Sequence, residues 1–177
     1  MSTTNRPYVT DKLSKLLEQR LIKKIYADEV TFNYGTKDVV RVDYMSFEPA
    51  GQMCISDIEK GVFTCYEVKS CKEDFHSGWG QNYIAEKNYL VMTMETYKDI
   101  INEIPQNVGV YIAIPDLGNT SIMPDRDVLM NEFEHPTDFY NDDIKWKLAC
   151  MTHCFKINRT KSMNEMLFCM LRAKQRI

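Results

Sequence analysis

Several features that indicate common protein classes are missing from this sequence of 177 residues. Its longest apolar run, Val108 to Pro115, is far too short to cross a bilayer. The first ten residues contain no apolar segment typical of a secretory signal. There is also no glycine-rich phosphate loop, nucleophile elbow, internal repeat or low-complexity tract. We therefore expect a cytoplasmic globular protein with no membrane partner.

An excess of basic charge is also missing. The chain has 22 Lys and Arg against 25 Asp and Glu, which leaves a formal net charge of -3. This balance argues against a broad nucleic-acid-binding surface but leaves room for local basic patches. One such cluster contains Lys156, Arg159 and Lys161, and another lies between Arg172 and Arg176.

Paired cysteines of the C-x-x-C type are absent, although the chain has six cysteines. Cys150, His153 and Cys154 form the only tight cluster. If this segment is helical, Cys150 and Cys154 share a face, and a zinc half-site is conceivable. Because buried free thiols behave as small hydrophobic side chains, we favour a packing role over zinc.

The residues that are present predict one α/β domain. Hydrophobic residues make up 44% of the chain, which is enough for a substantial core. Thr10 can cap a helix over Asp11 to Tyr26, whose apolar stripe contains Leu13, Leu16, Leu17, Leu21 and Ile25. Patterning predicts further strands and helices in the following order: strands at 29–34, 37–47, 61–69 and 89–94, a helix at 95–103, a strand at 108–114, and helices at 142–155 and 161–174.

An acid and a base stand together at the end of the third predicted strand. Since side chains on a strand alternate between faces, Glu67 and Lys69 point to the same side, while Tyr66 and Val68 point to the other. The preceding strand carries Asp43 within the alternation of Val40, Val42 and Tyr44 with Arg41 and Met45, although Asp is disfavoured in strands. Antiparallel pairing of these two strands would bring Asp43 close to Glu67. A weak surface ion pair is the simpler alternative.

This order of elements, with Asp43 followed by Glu67-Val68-Lys69, resembles the PD-(D/E)xK nuclease superfamily. Glu18 is a weaker match to the acid of the first helix in that superfamily. Residues 43–115, with segments EVKSCKEDFHSGWGQNYIAEKNYLVM and EIPQNVGVYIAIP, resemble uncharacterised phage and prophage members. The resemblance implies a restriction-endonuclease-like αβββαβ core with a mixed central sheet at about 8–115. Added C-terminal helices at about 123–177 would complete a single domain over 1–177.

The resemblance also implies a function, which is hydrolysis of phosphodiester bonds that depends on Mg²⁺ or Mn²⁺. The expected partner is DNA, and the expected location is the cytoplasm of a host cell. Asp43, Glu67, Lys69 and Glu18 are the expected catalytic residues. Asp43, Glu67 and the carbonyl of Val68 are the expected metal ligands. Gln81, Tyr83 and Lys87 are expected to contact substrate. Two alternatives stay open: a homodimer that cuts both strands, and a catalytically unused module that binds DNA or a host protein.

Overall fold

The structure is a computed structural model that describes residues 5–52, 54–78, 80–118 and 124–175. Within these ranges the helices are α1 Arg6–Leu21, α2 Ile55–Glu59, α3 Lys72–His76, α4 Met94–Ile100, α5 Pro124–Glu134 and α6 Met163–Gln175. The strands are β1 Ile25–Phe32, β2 Val40–Glu48, β3 Val62–Lys69, β4 Lys87–Met92, β5 Gly109–Pro115 and β6 Trp146–Thr152. The chain is therefore a mixed α/β protein, as the sequence predicts.

All six described strands form one mixed sheet in the order β1-β2-β3-β4-β5-β6. Neighbours are antiparallel at β1–β2, β2–β3 and β5–β6, and parallel at β3–β4 and β4–β5. The predicted antiparallel pairing of the second and third strands is confirmed, with Tyr44 opposite Tyr66. A parallel pair needs a crossover connection, and helices α3 and α4 lie in the two crossovers.

Helices cover both faces of the sheet. On one face α1 packs its leucines against Tyr66, Val68 and other side chains of β3 to β5. On the opposite face α6 covers β1 to β3, while α4 and α5 cover β4 and β5. Leu13, Leu17 and Leu21 are fully buried, and burial of each stabilises the fold by about 1.5–3 kcal/mol.

The first helix begins earlier than predicted. It starts at Arg6 instead of Asp11, and its cap is Asn5, whose side chain accepts a hydrogen bond from the N–H of Tyr8 at 3.5 Å. Pro7 suits this first turn because a helix has no internal partner for the N–H groups there. The sequence therefore held two competing start signals, and the one nearer the N-terminus is used.

The first helix also ends earlier than predicted, at Leu21 instead of Tyr26. The predicted stripe is confirmed for its leucines, but Ile25 lies in β1, where it pairs with Phe47 and is 46% exposed. Pairing with β2 satisfies the backbone groups of Ile25, whereas a longer helix would leave the edge of β2 unpaired.

The predicted helix over Asp142 to Phe155 is wrong. Half of that segment forms β6, which pairs antiparallel with β5 and buries Leu148 and Ala149. Because β5 is buried along its whole length, its outer backbone groups need partners, and β6 supplies them. The C-terminal part is therefore not a purely helical addition, although the predicted helix over 161–174 is confirmed by α6.

The basic cluster at Lys156, Arg159 and Lys161 is largely engaged within the fold. Arg159 donates to the carboxylate of Glu86, which is 5% exposed and also accepts the N–H of Phe63 at 3.1 Å. Lys161 pairs with Glu165 at 3.0 Å. These contacts favour a structural role for two of the three cations over contact with nucleic acid.

We expect Arg159→Ala to lower the free energy of unfolding by about 2 kcal/mol, because it leaves the buried carboxylate of Glu86 without its cation. Lys156→Ala is the matched control, since Lys156 is exposed on the same connection, and its effect should stay within about 0.5 kcal/mol. Urea unfolding of both variants measures the difference. Equal effects would contradict a structural role for Arg159.

Within the described ranges, no helix combines the length and the apolar character required to cross a membrane.

Candidate functional site

The last three residues of β3 open into a cleft of about 700 Å³. Glu67, Val68 and Lys69 line it, together with Asp43 of β2. The far wall is formed by the connection from α3 to β4, including Gly80. The structure thus brings together four residues that the sequence predicted as a site.

The ladder between β1 and β2 is interrupted where Asp43 lies, because Glu29 and Asp43 are not paired. Glu29, which stands between the pairs Asp28–Tyr44 and Val30–Val42, has a φ of +49°. The predicted alternation is interrupted here: Val42 packs in the cluster under α6, whereas Tyr44 packs against α1. Such irregularities redirect side chains, and they are frequent next to functional sites.

Two hydrogen bonds hold the carboxyl group of Asp43. Its Oδ2 accepts the N–H of Val68 at 2.9 Å, and its side chain also hydrogen-bonds to that of Glu67. Asp43 and Glu67 lie just beyond Tyr44 and Tyr66, the last paired residues at this end of β2 and β3. The two acids therefore sit side by side where the ladder opens.

The environment of Glu67 disfavours its charged form. Glu67 is 5% exposed, and its pKa is raised to about 9. Burial is the larger cause, and the negative charge of Asp43 is the second. Lys69, which is 3% exposed, opposes this shift through its positive charge. The environment of the metal-free protein therefore favours the protonated form of Glu67 at neutral pH.

Oxygen donors in this arrangement fit a divalent cation of the Mg²⁺ type. A cation between the two acids would replace the proton on Glu67 and remove their repulsion. Within the described ranges no group of three or more His, Cys, Asp and Glu residues is placed to hold a metal. Mg²⁺ does not need one, since it is bound in many sites by one or two carboxylates and keeps several waters.

The zinc alternative loses its structural basis. Cys150 lies on β6, and its Sγ is 3.5 Å from Nδ1 of His153, but Cys150 and Cys154 do not share a helical face. Cys150 and Cys154 pack at the border of the core cluster beneath α1. This placement agrees with the interpretation of these thiols as packing residues.

Four predicted site residues are not among the described residues that line the cleft: Glu18, Gln81, Lys87 and Tyr83. Glu18 of α1 accepts the hydroxyl hydrogen of Tyr44 at 2.8 Å, on the sheet face that α1 covers. Gln81 donates to the carbonyl of Phe75 at 2.7 Å and so fastens the connection to α3. Lys87 begins β4, opposite Thr64. Glu18 lies on a helix, Gln81 in a connection and Lys87 at the start of a different strand, so no single periodicity relates their side chains. Spacing along the sequence therefore placed them in the site incorrectly.

Sequence reasoning did not single out Arg41, Asp74 or Gly80, although all three line the cleft. Asp74 accepts the N–H of Ser70 at 3.0 Å and its hydroxyl at 3.1 Å, which fixes the turn after β3. Arg41 is exposed and lies 3.6 Å from Glu29. The alternation of β2 could have identified Arg41, because it stands two residues before Asp43. No local pattern identified Asp74 or Gly80.

Tyr83 is not on the described lining of the cleft, although the charge of Glu67 acts on its hydroxyl. Its hydroxyl is buried and has no hydrogen-bond partner within the described part of the chain. Burial and then the charge of Glu67 raise the pKa of Tyr83 to about 12. Its φ of +42° is unusual for a residue other than glycine. A buried hydroxyl without a hydrogen-bond partner and a left-handed backbone both reduce the stability of the fold. Such features are common at functional sites.

We expect Tyr83→Phe to leave the free energy of unfolding unchanged or to raise it by about 1 kcal/mol, because no hydrogen bond is lost and a polar group leaves the interior. Tyr44→Phe is the contrasting variant, since the hydroxyl of Tyr44 donates to Glu18, and it should cost about 1 kcal/mol. Chemical denaturation compares the two. A larger loss for Tyr83→Phe than for Tyr44→Phe would show that the hydroxyl of Tyr83 has a partner.

The fold and this cleft define the chain as a mixed α/β protein with a six-stranded mixed sheet and an acidic pair at the end of a central strand. No family model matches the chain, and no curated protein matches it. Among solved structures, the SPO1766 protein of unknown function from Silicibacter pomeroyi is similar, with a TM-score of 0.54 and 15% sequence identity over 95% of this chain and 88% of that one. At this identity the similarity concerns the fold alone.

Proposed function

We propose that the protein is a metal-dependent nuclease of the PD-(D/E)xK type that hydrolyses phosphodiester bonds, with DNA as its substrate. The observation that carries the proposal is the hydrogen-bonded pair of Asp43 and Glu67 next to Lys69 in one cleft. A buried pair of like charges is costly to a fold unless something compensates for it, and functional sites are where such pairs are common. The sequence resemblance adds a phage or prophage origin to the proposal.

The order of elements supports the same proposal. Helix α1, strands β1 to β3, helix α3 and strand β4 follow one another as an αβββαβ core would, with α2 inserted between β2 and β3. The antiparallel β1–β2–β3 unit and the parallel β3–β4 pair make its sheet mixed. In the proposed assignment Asp43 belongs to the second strand of that core, and Glu67 and Lys69 to the third.

Each residue of the cleft has a chemical task in this proposal. Asp43 and Glu67 hold the cation through their carboxylate oxygens, and the carbonyl of Val68 is a further oxygen donor. Bound Mg²⁺ or Mn²⁺ supplies a more acidic water and neutralises charge on the phosphate. Lys69 hydrogen-bonds the attacking water or stabilises the negative charge that develops on the phosphate. Arg41 is free to exchange its weak surface pair with Glu29 for a phosphate at the rim.

The proposal is tested by incubating the purified protein with linear, circular, single-stranded and branched DNA, with Mg²⁺, with Mn²⁺ and with chelator. We expect cleavage of at least one form that requires metal and is absent in Asp43→Asn. Cleavage that persists in Asp43→Asn would come from a contaminant or another site. Failure to cut any of the four forms under either metal would overturn the proposed activity.

A second candidate, a binding module that does not use the chemistry, is favoured by the charge distribution. The net charge is -3, and Arg159 and Lys161 are paired with acids of the same chain. Such a module would bind its partner equally well in chelator and in the Asp43→Asn variant. The nuclease, in contrast, should bind its substrate in a way that depends on metal.

A further inference from the structure

The backbone of Gly80 lies directly against the carboxylate of Glu67. A Cβ atom placed on Gly80 would be 2.2 Å from Oε2 and 2.8 Å from Cδ of Glu67. Side-chain Cβ atoms do not approach other atoms so closely, so one of the two groups would have to move. Because the carboxylate is the mobile end of its side chain, it is the group that would be displaced.

The carboxylate of Glu67 is confined on two sides, although Glu67 also lines the cleft. It is 5% exposed, and the carboxyl group of Asp43 is hydrogen-bonded to it from the side of β2. The connection continues to Tyr83, which has a left-handed φ of +42°. Backbone on one side and Asp43 on the other therefore hold the carboxylate of Glu67 in one place.

Gly78 provides an internal comparison. Its φ is +75°, almost the same as the +77° of Gly80, so a side chain would strain the backbone equally at both positions. A Cβ on Gly78, however, would meet nothing within 4 Å. Gly78 is exposed and Gly80 is partly buried, and only at Gly80 would an added Cβ meet Glu67.

We propose that Gly80 is a positioning residue: the absence of a side chain at Gly80 sets the place of the Glu67 carboxylate beside Asp43. The part of this inference that concerns metal binding rests on the proposed function. The part that concerns the position of the Glu67 carboxylate rests only on the described geometry. It predicts that a methyl group at position 80 displaces a metal ligand without touching the metal or the substrate.

The experiment compares Gly80→Ala with Gly78→Ala, each in the wild-type and in the Glu67→Ala background. Thermal unfolding in chelator measures the steric claim. Gly80→Ala should lower the melting temperature more than Gly78→Ala does in the wild-type background, and the two should have equal effects once Glu67 is truncated. Titration of the single variants with Mn²⁺, followed by the rise in melting temperature, measures positioning. Gly78→Ala should keep wild-type affinity, and Gly80→Ala should weaken it at least tenfold.

The two measurements separate the possible failures. Equal effects of Gly80→Ala and Gly78→Ala in the wild-type background would overturn the inference, whatever the metal does. A steric difference combined with unchanged Mn²⁺ affinity in Gly80→Ala would also overturn it. If the wild type does not respond to Mn²⁺ at all, the proposed metal site fails, and the measurements in chelator still decide whether Gly80 positions Glu67.

Discussion

Substituting Lys69 with Met is expected to reduce metal-dependent DNA cleavage by a factor of at least about 100. Lys69 is 3% exposed at the end of β3, and its charge acts on Glu67. In the proposed mechanism it would stabilise the negative charge that develops on the phosphate. Met keeps most of the volume and the unbranched shape of Lys but removes the charge. The variant should therefore fold and lose activity, whereas truncation to Ala would also create a cavity.

The Lys69→Met variant also separates catalysis from metal binding. Removing a cation beside two carboxylates should not weaken Mn²⁺ binding, so Mn²⁺ should still raise the melting temperature of this variant. Lys72→Met, a surface substitution three residues away, is the matched control and should retain full cleavage. Wild-type rates in Lys69→Met protein of equal purity would remove Lys69 from the proposed mechanism.

The metal-free protein is expected to lose stability as the pH rises from about 5 to about 8. The folded state keeps a proton on Glu67 up to a pKa of about 9, whereas the unfolded state releases it above the ordinary value of 4.5. In this window the folded state binds more protons than the unfolded state, so the free energy of unfolding falls by up to roughly 1 kcal/mol per pH unit. Chemical denaturation in chelator at several pH values measures the slope.

Asp43→Asn should reduce this loss. An Asn side chain can still accept the N–H of Val68 and can donate to the carboxylate of Glu67, while one negative charge is removed. At pH 8 in chelator, the variant should therefore be at least as stable as the wild type. Asp28→Asn removes a charge from the adjacent strand outside the cleft and is the matched control. Its slope with pH should equal that of the wild type.

Metal should reverse the ranking of Asp43→Asn and wild type. At a concentration one hundred times the dissociation constant, Mg²⁺ or Mn²⁺ should stabilise the wild type by about 2.7 kcal/mol, and the variant by much less. A destabilised Asp43→Asn variant alongside a wild type that does not respond to metal would contradict the proposed site. Asp43 would then be a structural residue that holds the end of β3 through Val68.

The sequence by itself determined the features that depend on local periodicity. Alternation along a strand places Glu67 and Lys69 on one side, and the structure brings both to the same cleft. Helical spacing identified the buried leucines of α1, such as Leu13 and Leu17, and the strand patterns identified β2 and β3 as neighbours. These signals are strong because each repeats within one element, so they do not depend on the rest of the chain.

Only the tertiary structure decided which residues from different elements meet. The segment that forms β6 has a pattern that predicted a helix, and it became a strand because β5 needed a partner on its outer edge. Arg159 was assigned to a basic patch until its pairing with the buried Glu86 was visible. Gly80 could not be chosen from the sequence, because its role is a contact with Glu67 across a turn. Contacts of this kind depend on how β3, the following connection and β2 pack together, and short-range sequence patterns do not record that packing.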